Sequence, residues 1–317
     1  MKIKDTAFAY AVAKIRAKET QMLGQARLNR MADAETVEEV IAILREAGYS
    51  GDTQEEMLAD ELSGTYRLLT DISPIREAFR LFMVKSDYHN IKVLIKAAFL
   101  DRDYDFLLKS GGRIAPERLK DVLTSRVLTE LPPTMQKAVL SATDTLTKTG
   151  NPQLADLILD QAAYEEMCGM AKETQSTFIQ DLVTVMIDLA NLRILLRVQK
   201  MGKNVDFLLR AFIPGGTIAA EALARALPKP FADFVRTTPY RDLADDAVHA
   251  AQFEQAAERY LLRRCKQSRY VAFGLEPLVA YLLAKEHEIK QVRLILTGKK
   301  NALSAEQIKE RLRESYA

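Results

Sequence analysis

The chain has 317 residues, of which 48% are hydrophobic and 28% charged, so it is long enough for two or three domains with a sizeable core. Its 45 lysines and arginines against 43 acids give a net charge of +2, which argues against a broad surface for nucleic acid or anionic lipid. No run of about 18 uncharged apolar residues occurs, so no transmembrane helix is predicted. The first residues predict a mixed polar and apolar helix, not a signal peptide.

Helical signals dominate along the chain. Apolar residues recur at positions i, i+3, i+4 and i+7, and sustained two-residue alternation is absent, so an all-α fold is predicted. Thr36 lies three residues before Glu39, and Ser304 three residues before Gln307, which predicts two helix starts capped by a hydroxyl. Pro116 fits the first turn of another helix, where its missing N–H leaves no bond unmade.

One short pattern returns three times, about a hundred residues apart. An acid is followed three residues later by an amide, then by an aliphatic residue, a cation and more aliphatic residues. The three pairs are Asp87 with Asn90, Asp188 with Asn191, and Glu288 with Gln291. A second marker follows each copy, at residues 114–119, 218–223 and 303–308. Ordered markers in three copies predict three helical units, at residues 1–125, 126–230 and 231–317, with the last one shortened.

The spacing of each pair suggests what the acid and the amide do. Residues three and four apart share one face of a helix, so each pair lies at the edge of an apolar stripe. There the two side chains can bond to each other or to the backbone at a neighbouring helix end. A buried acceptor without a partner costs about 1–3 kcal/mol, so such bonds would select one packing. The alternative, acid–base catalysis by Asp87 and Asp188, gives no reason for a threefold recurrence.

Other motifs that carry chemistry are scarce. The three histidines, His89, His249 and His287, form no HxxxH or HExxH pair, so no metal site is predicted. Cys168 and Cys265 match no metal-binding spacing and are predicted to be reduced core residues. No GxxxxGK[ST], GxGxxG or GxSxG sequence occurs, so neither a phosphate-binding loop nor a nucleophile elbow is expected. No catalytic residue and no cofactor is therefore predicted.

Three groups of residues have two open interpretations. The cations of the repeated helices are either solvated ends or part of a partner-facing surface: Lys92, Lys96, Arg193, Arg197 and Arg293. The paired glycines after the first two copies are either turn residues or partner-facing: Gly111, Gly112, Gly215 and Gly216. The basic run from Arg263 to Lys266 is either a solvated helix face or a contact for an acidic partner.

Together, these motifs resemble the C subunit of the A/V-type rotary ATPases, whose eukaryotic counterpart is called the d subunit. The resemblance is carried by three parts of the sequence. These are Tyr10 with the basic–aliphatic–basic step after it, the acid–x–x–Asn motifs whose first residues are Asp87 and Asp188, and residues 274–295. It extends from about residue 7 to residue 312. The third copy departs from the family pattern, since Gln291 stands where the family often has Asn.

The resemblance implies an all-helical protein whose three similar units form a funnel around a pseudo-threefold axis. It further implies a non-catalytic central-stalk subunit on the cytoplasmic face of the membrane, which joins the rotating shaft to the membrane proteolipid ring. Its expected partners are the shaft subunits and the ring, with indirect membrane association and no nucleic acid. The alternatives are an all-helical repeat adaptor unrelated to an ATPase, an enzyme that uses scattered acids, and a nucleic-acid-binding solenoid.

Overall fold

The computed structural model describes residues 4–245 and 250–316, and every regular element in these ranges is a helix. The predicted all-α fold is therefore confirmed. His249 lies outside the described residues. Within the described ranges, no helix is both long enough and apolar enough to cross a lipid bilayer.

Fifteen α-helices are described, joined by short turns and by five 3₁₀ helices. In chain order they are α1 (Ala9–Glu19), α2 (Gln25–Asp33), α3 (Val37–Glu46), α4 (Gln54–Ile72), α5 (Glu77–Leu100), α6 (Pro116–Ser125), α7 (Pro133–Thr149), α8 (Pro152–Glu173), α9 (Thr177–Lys200), α10 (Val205–Ala211), α11 (Ala220–Ala226), α12 (Phe231–Arg236), α13 (Ala250–Gln267), α14 (Glu276–Lys300) and α15 (Ala305–Lys309). The 3₁₀ helices are Asp5–Phe8, Asp105–Leu107, Leu128–Glu130, Arg241–Leu243 and Ser268–Tyr270.

The helix starts follow the local sequence signals. The Thr36 hydroxyl accepts a hydrogen bond from the Glu39 N–H at 3.2 Å, at the start of α3. Ser304 and Gln307 form a reciprocal capping box at the start of α15, and Pro116 is the first residue of α6. These three predictions are confirmed, and they succeed because a cap depends on residues within one turn of each other.

The chain forms two compact units, one from Met1–Phe79 with Glu258–Ala317 and the other from Arg80–Ala257. In the first unit α14 packs against α1, α2, α3 and α4, and in the second α9 packs against α8, α10 and α12. Both central helices are buried on most of their surface, which is the place of a helix that is apolar on nearly all sides. This division does not test the repeat boundaries at residues 1–125, 126–230 and 231–317, which stay a prediction.

Candidate functional site

The repeated acids and amides are all buried, although their side chains are polar. Their exposed fractions are 0% for the four residues of the first two copies, 4% for Glu288 and 2% for Gln291. The pairs lie on α5, α9 and α14, and the three-residue spacing puts both members of a pair on the same face. Buried polar groups need partners, and these partners define the site.

In the first copy, the pair holds the loop between α5 and α6. Asp87 Oδ1 accepts hydrogen bonds from the backbone N–H groups of Arg113 at 2.8 Å and Ile114 at 3.2 Å. Asn90 uses both ends of its amide on one residue: Oδ1 accepts from the Lys109 N–H at 2.8 Å, and Nδ2 donates to the Lys109 carbonyl at 2.9 Å. Two side chains thus fix four backbone groups of the loop.

The second copy repeats this arrangement between α9 and α11. Asp188 Oδ1 accepts from the N–H groups of Thr217 at 2.8 Å and Ile218 at 3.0 Å. Asn191 Oδ1 accepts from the Ile213 N–H at 2.9 Å, while Nδ2 donates to the Ile213 carbonyl at 2.8 Å. We call each such set of side-chain-to-loop bonds a loop lock.

A glycine in each loop permits the close approach of the acid. A Cβ added to Gly112 would lie 2.3 Å from Asp87 Oδ1, and one added to Gly216 would lie 2.2 Å from Asp188 Oδ1. Both distances are far below van der Waals contact, so only a residue without a side chain fits. The glycine just before each has a positive φ, 87° and 103°, which glycine adopts without strain. These bonds give the glycines a structural role, and their partner-facing role stays a prediction.

In the first copy, the second carboxylate oxygen of Asp87 binds a charged side chain. Asp87 Oδ2 accepts from Arg113 Nε at 2.7 Å, and Arg113 Nη1 also reaches Glu166 Oε1 at 2.5 Å. The Tyr88 hydroxyl donates to the same glutamate at 2.9 Å. Burial raises the pKa of the Asp87 carboxyl, and the hydrogen bond and charge of Arg113 offset part of that effect.

In the second copy, neutral donors take the same place. Thr217 Oγ1 donates to Asp188 Oδ2 at 2.6 Å, and the Tyr240 hydroxyl donates to the same oxygen at 2.8 Å. The backbone part of the loop lock is thus common to two copies, while the side chains that complete it differ.

The third copy keeps half of the lock. Gln291 Oε1 accepts from the Arg313 N–H at 3.0 Å, 22 residues further on, the same separation as between Asn191 and Ile213. Its Nε2 lies 3.3 Å from His287 Nε2 and not at the backbone carbonyl. Gln291, in place of Asn, therefore keeps the bond to the backbone N–H group but does not donate to the backbone carbonyl of the same residue.

Glu288 binds groups from the other end of the chain. Its Oε2 accepts from the Leu23 N–H at 2.6 Å, and its Oε1 accepts from the Tyr49 hydroxyl at 2.6 Å. Lys285 Nζ donates to Oε1 at 2.7 Å and lies 2.8 Å from Glu61. Burial disfavours the charged form of Lys285, but the carboxylates of Glu288 and Glu61 outweigh this and raise its pKa. In the third copy, the acid therefore binds residues that follow α1 and α3, and not a loop that follows its own helix.

The cation after each amide forms an ion pair. Lys92 Nζ lies 2.5 Å from Asp160, and Arg193 Nη1 lies 3.0 Å from Glu254. In the third copy, Arg293 lies 3.3 Å from Glu55, on α4. From the sequence alone, these cations were open to a solvated or a partner-facing role. The structure pairs them within the chain, through partly exposed bonds worth about 0–1 kcal/mol each.

This pairing was not predicted, although its signal is present in the sequence. The acids of the first two pairs begin the matching segments 160–163 and 254–257, each an acid followed by Gln-Ala-Ala. A recurring cation and a recurring acid are candidates for one another. A closer repeat is also present in the sequence: Asp-Phe-Leu-Leu followed by a cation, at residues 105–109 and 206–210.

That repeat folds differently in the two copies. In the second copy it forms α10, where Leu208 is fully buried. In the first it forms a single 3₁₀ turn, and Leu107, the counterpart of Leu208, is 46% exposed. The first copy also has three fewer residues between this segment and the glycine pair.

Each buried acid accepts hydrogen bonds from its own segment of backbone, which is the arrangement of a docking group. Within the described ranges, no set of three His, Cys, Asp or Glu is placed to hold a metal ion. An open groove of about 1020 Å³ lies between the end of α5, α6 and α7, and Lys120 and Asp105 at its edge pair with each other. Both cysteines are free, and burial raises the pKa of Cys265 to about 12.

These features define a class: an all-helical scaffold in which similar helices hold the loops that follow them through recurring buried bonds. Comparison with known proteins makes the class specific. The model of the ATP synthase (C/AC39) subunit family matches residues 11–311, and the chain belongs to this family.

Full-length relatives agree with this assignment. The chain is 27% identical to the C subunit of the V-type sodium ATPase of Enterococcus hirae, across 95% of this chain and 97% of that protein. It is 25% identical to the C subunit of the A-type ATP synthase of Methanocaldococcus jannaschii, across 96% and 86% of the two chains. The corresponding protein of Thermococcus gammatolerans is 24% identical, across 99% and 92%. The resemblance found in the sequence is confirmed, and membership of a rotary ATPase follows from it.

Proposed function

We propose that this chain is the non-catalytic central-stalk subunit of a V-type or A-type rotary ATPase, on the cytoplasmic face of the membrane. In this role it joins the rotating shaft to the membrane proteolipid ring. The observation that carries the proposal is the family match over residues 11–311, together with relatives that are C subunits of such ATPases and are covered over 97% and 86% of their length. Family membership also decides against an adaptor unrelated to an ATPase.

The loop locks support a part that transmits torque. Such a part must pass a force through its loops without letting them slide on their helices. Each lock ties a loop to a long buried helix through bonds from a fully desolvated carboxylate or amide. Hydrogen bonds to a charged acceptor contribute about 1.5–3 kcal/mol each, so a loop held by two of them resists displacement.

The ion pairs support three similar units around a pseudo-threefold axis, with a funnel as the overall form. The first repeated helix pairs with α8, the second with α13, and the third with α4. In the first two cases the partner helix belongs to the next predicted unit along the chain. The partner of the third repeated helix belongs to the first predicted unit. A closed cyclic order of this kind is what three units around an axis require.

A shaft of low symmetry and a ring of higher symmetry cannot make identical contacts all round. We therefore propose that exposed loops and charged ends make the ring contact, with the segments at Gly111, Gly112, Gly215 and Gly216 facing the ring. Charged contacts of this kind weaken as salt rises.

Co-purification tests membership of the complex. The tagged chain, expressed at low level in its native host, is solubilised with its membranes in mild detergent, and the recovered proteins are identified by mass spectrometry. Recovery of catalytic subunits, shaft and proteolipid supports the proposal. Recovery from the soluble fraction alone, without these subunits, would overturn it.

Site-directed cross-linking tests the ring contact separately. Ser110→Cys introduces a thiol next to the first glycine pair, in a chain whose Cys168 is replaced by serine, and this thiol is labelled with a photoactivatable maleimide. The matched control is Ser141→Cys, at an exposed position on α7, labelled in the same way. We expect a proteolipid cross-link from residue 110 and none from residue 141. A cross-link from 110 to another protein of the intact complex would remove the ring-facing assignment and leave the membership standing.

A further inference from the structure

A basic and aromatic surface lies at the end of α13 and on the connection that leads to α14. We define the basic–aromatic surface by three residues of this segment: Arg263, Tyr270 and Phe273. Tyr270 is 92% exposed and Phe273 47%, although large aromatic side chains are normally covered in a folded chain. None of them takes part in the loop locks.

The backbone that carries Tyr270 is fixed by one arginine. Arg16 Nη2 donates to three carbonyl oxygens of the connection: Ser268 at 2.8 Å, Arg269 at 3.0 Å and Val271 at 3.3 Å. Glu19 holds the same arginine by an ion pair of 2.8 Å. The carbonyls just before and just after Tyr270 are therefore tied to α1.

A second clamp holds the residue next to the exposed ring. Arg269 stacks 4.5 Å from the centre of the Tyr316 ring and donates to the Tyr316 carbonyl. Tyr316 is 2% exposed, and its hydroxyl lies 3.1 Å from Glu19. Tyr270 thus projects from a rigid turn and not from a loose one, so a partner would lose little entropy by ordering it.

The charge around this turn is one-sided. Residues 258–276 contain five lysines and arginines against two acids, Glu258 and Glu276, which stand at the two ends of the segment. Removing these residues from the totals of 45 and 43 leaves 40 cations against 41 acids in the rest of the chain. Glu258 pairs with Lys290, outside the segment, and Glu314 pairs with Lys266. The segment therefore carries an excess of positive charge in a chain that is close to neutral elsewhere.

We propose that the basic–aromatic surface binds an acidic segment of another protein chain, with Tyr270 as its anchor. Complementary charge steers such a segment to the site, and Tyr and Arg are the residues that most often dominate protein interfaces. A membrane surface fits less well, because two exposed aromatic side chains among cations do not make the broad apolar stripe that membrane-surface helices present. The proposal rests on the proposed function in expecting this segment on another chain of the ATPase.

Photo-cross-linking in cells tests the surface in the assembled complex. Tyr270 is replaced by p-benzoylphenylalanine, and Leu140, which is 61% exposed on α7, is replaced in the same way as the control. We expect residue 270 to cross-link to a peptide rich in Asp and Glu on another protein of the complex, at a yield well above that of residue 140. A cross-link to lipid, to nucleic acid or to a peptide without acids would overturn the proposal, as would none from a complex that has formed.

Competition for incorporation gives the energetic test. Wild-type and variant chains with different tags are co-expressed at equal levels, and their ratio in the purified complex is measured. Tyr270→Ser and Arg263→Glu should each be under-represented by about 10-fold, the loss typical of an interface anchor. Leu140→Ser and Lys137→Glu, on α7, should be incorporated like the wild type. Equal incorporation of the first two variants would overturn the proposal.

Two further outcomes separate this proposal from the proposed function. An acidic peptide that belongs to no rotary ATPase would support the surface and count against the function. Binding of the purified chain to vesicles of phosphatidylcholine and phosphatidylglycerol, or to a single-stranded oligonucleotide, would overturn the surface if Tyr270→Ser abolished it. The function would then still stand on co-purification.

Discussion

Replacing Gly216 by alanine tests the loop lock of the second copy directly. The added Cβ would lie 2.2 Å from Asp188 Oδ1 and 3.1 Å from the side chain of Ile187. Ordinary contact begins near 3.4 Å, so the carboxylate or the loop must move by about 1 Å. The same oxygen accepts the N–H groups of Thr217 at 2.8 Å and Ile218 at 3.0 Å, and a shift of this size breaks or lengthens both bonds.

The expected cost follows from those two bonds. A hydrogen bond to a charged acceptor contributes about 1.5–3 kcal/mol, and a displaced buried N–H adds its own desolvation cost. Asp188 keeps its bonds to the hydroxyls of Thr217 and Tyr240 through the other oxygen, so the loss is not total. We expect Gly216→Ala to lower the free energy of unfolding by about 2–4 kcal/mol.

Urea unfolding followed by far-ultraviolet circular dichroism measures this change, because the chain has no tryptophan for a fluorescence assay. Hydrogen exchange at residues 213–218 locates it. Gly169→Ala is the control in the same compact unit, because a Cβ there meets nothing within 4 Å and alanine favours the helix by about 0.5–1 kcal/mol. The proposed clash is refuted if Gly216→Ala is as stable as the wild type, or costs the same after Asp188→Ala has removed the clashing oxygen.

Three further predictions concern the same bonds and their surroundings. Asn191→Leu should cost about 2–4 kcal/mol, because it leaves the N–H and carbonyl of buried Ile213 without partners; a urea midpoint equal to that of the wild type would contradict this. Burial lowers the pKa of His287, so its contribution to stability is full above the unfolded pKa of about 6.5 and is lost as pH falls below it. Between about pH 7.5 and pH 5.5, the free energy of unfolding should therefore fall less for His287→Gln than for the wild type, and equal losses would exclude the effect. A thiol reagent should modify Cys168 well before buried Cys265, and the reverse order, read by mass spectrometry, would contradict the burial.

The features that the sequence predicts correctly depend on neighbours within a few turns. Helix starts at Thr36 and Ser304 and the shared face of each acid and amide follow from local spacing, and the structure has them. Helical periodicity shows which side of a helix is buried but not what lies across from it. The partners of Glu288 illustrate the limit, since Leu23 and Tyr49 are 265 and 239 residues away in sequence. No local pattern connects such groups.

The recurrence of residues between copies predicts contacts that helical periodicity within one copy does not. Gly112 and Gly216 each follow a repeated acid, by 25 and 28 residues, which suggests that acid and glycine meet. The acidic segments that begin at Asp160 and Glu254 likewise recur with the cations they bind. What recurrence cannot supply is the local structure of each copy. The same Asp-Phe-Leu-Leu segment forms α10 in the second copy and a single 3₁₀ turn in the first.

The locks share their backbone bonds but not their side-chain partners, and this difference has a physical use. Asp87 is completed by Arg113 within a buried ion network, whereas Asp188 is completed by Thr217 and Tyr240, which are neutral. If a loop docked on the wrong copy, a buried charge would remain unpaired, which costs about 3–5 kcal/mol. A chain built from similar helices and similar loops thus penalises exchange between them. We therefore expect the unequal partners to favour each loop on its own helix, while the shared bonds hold each one in place.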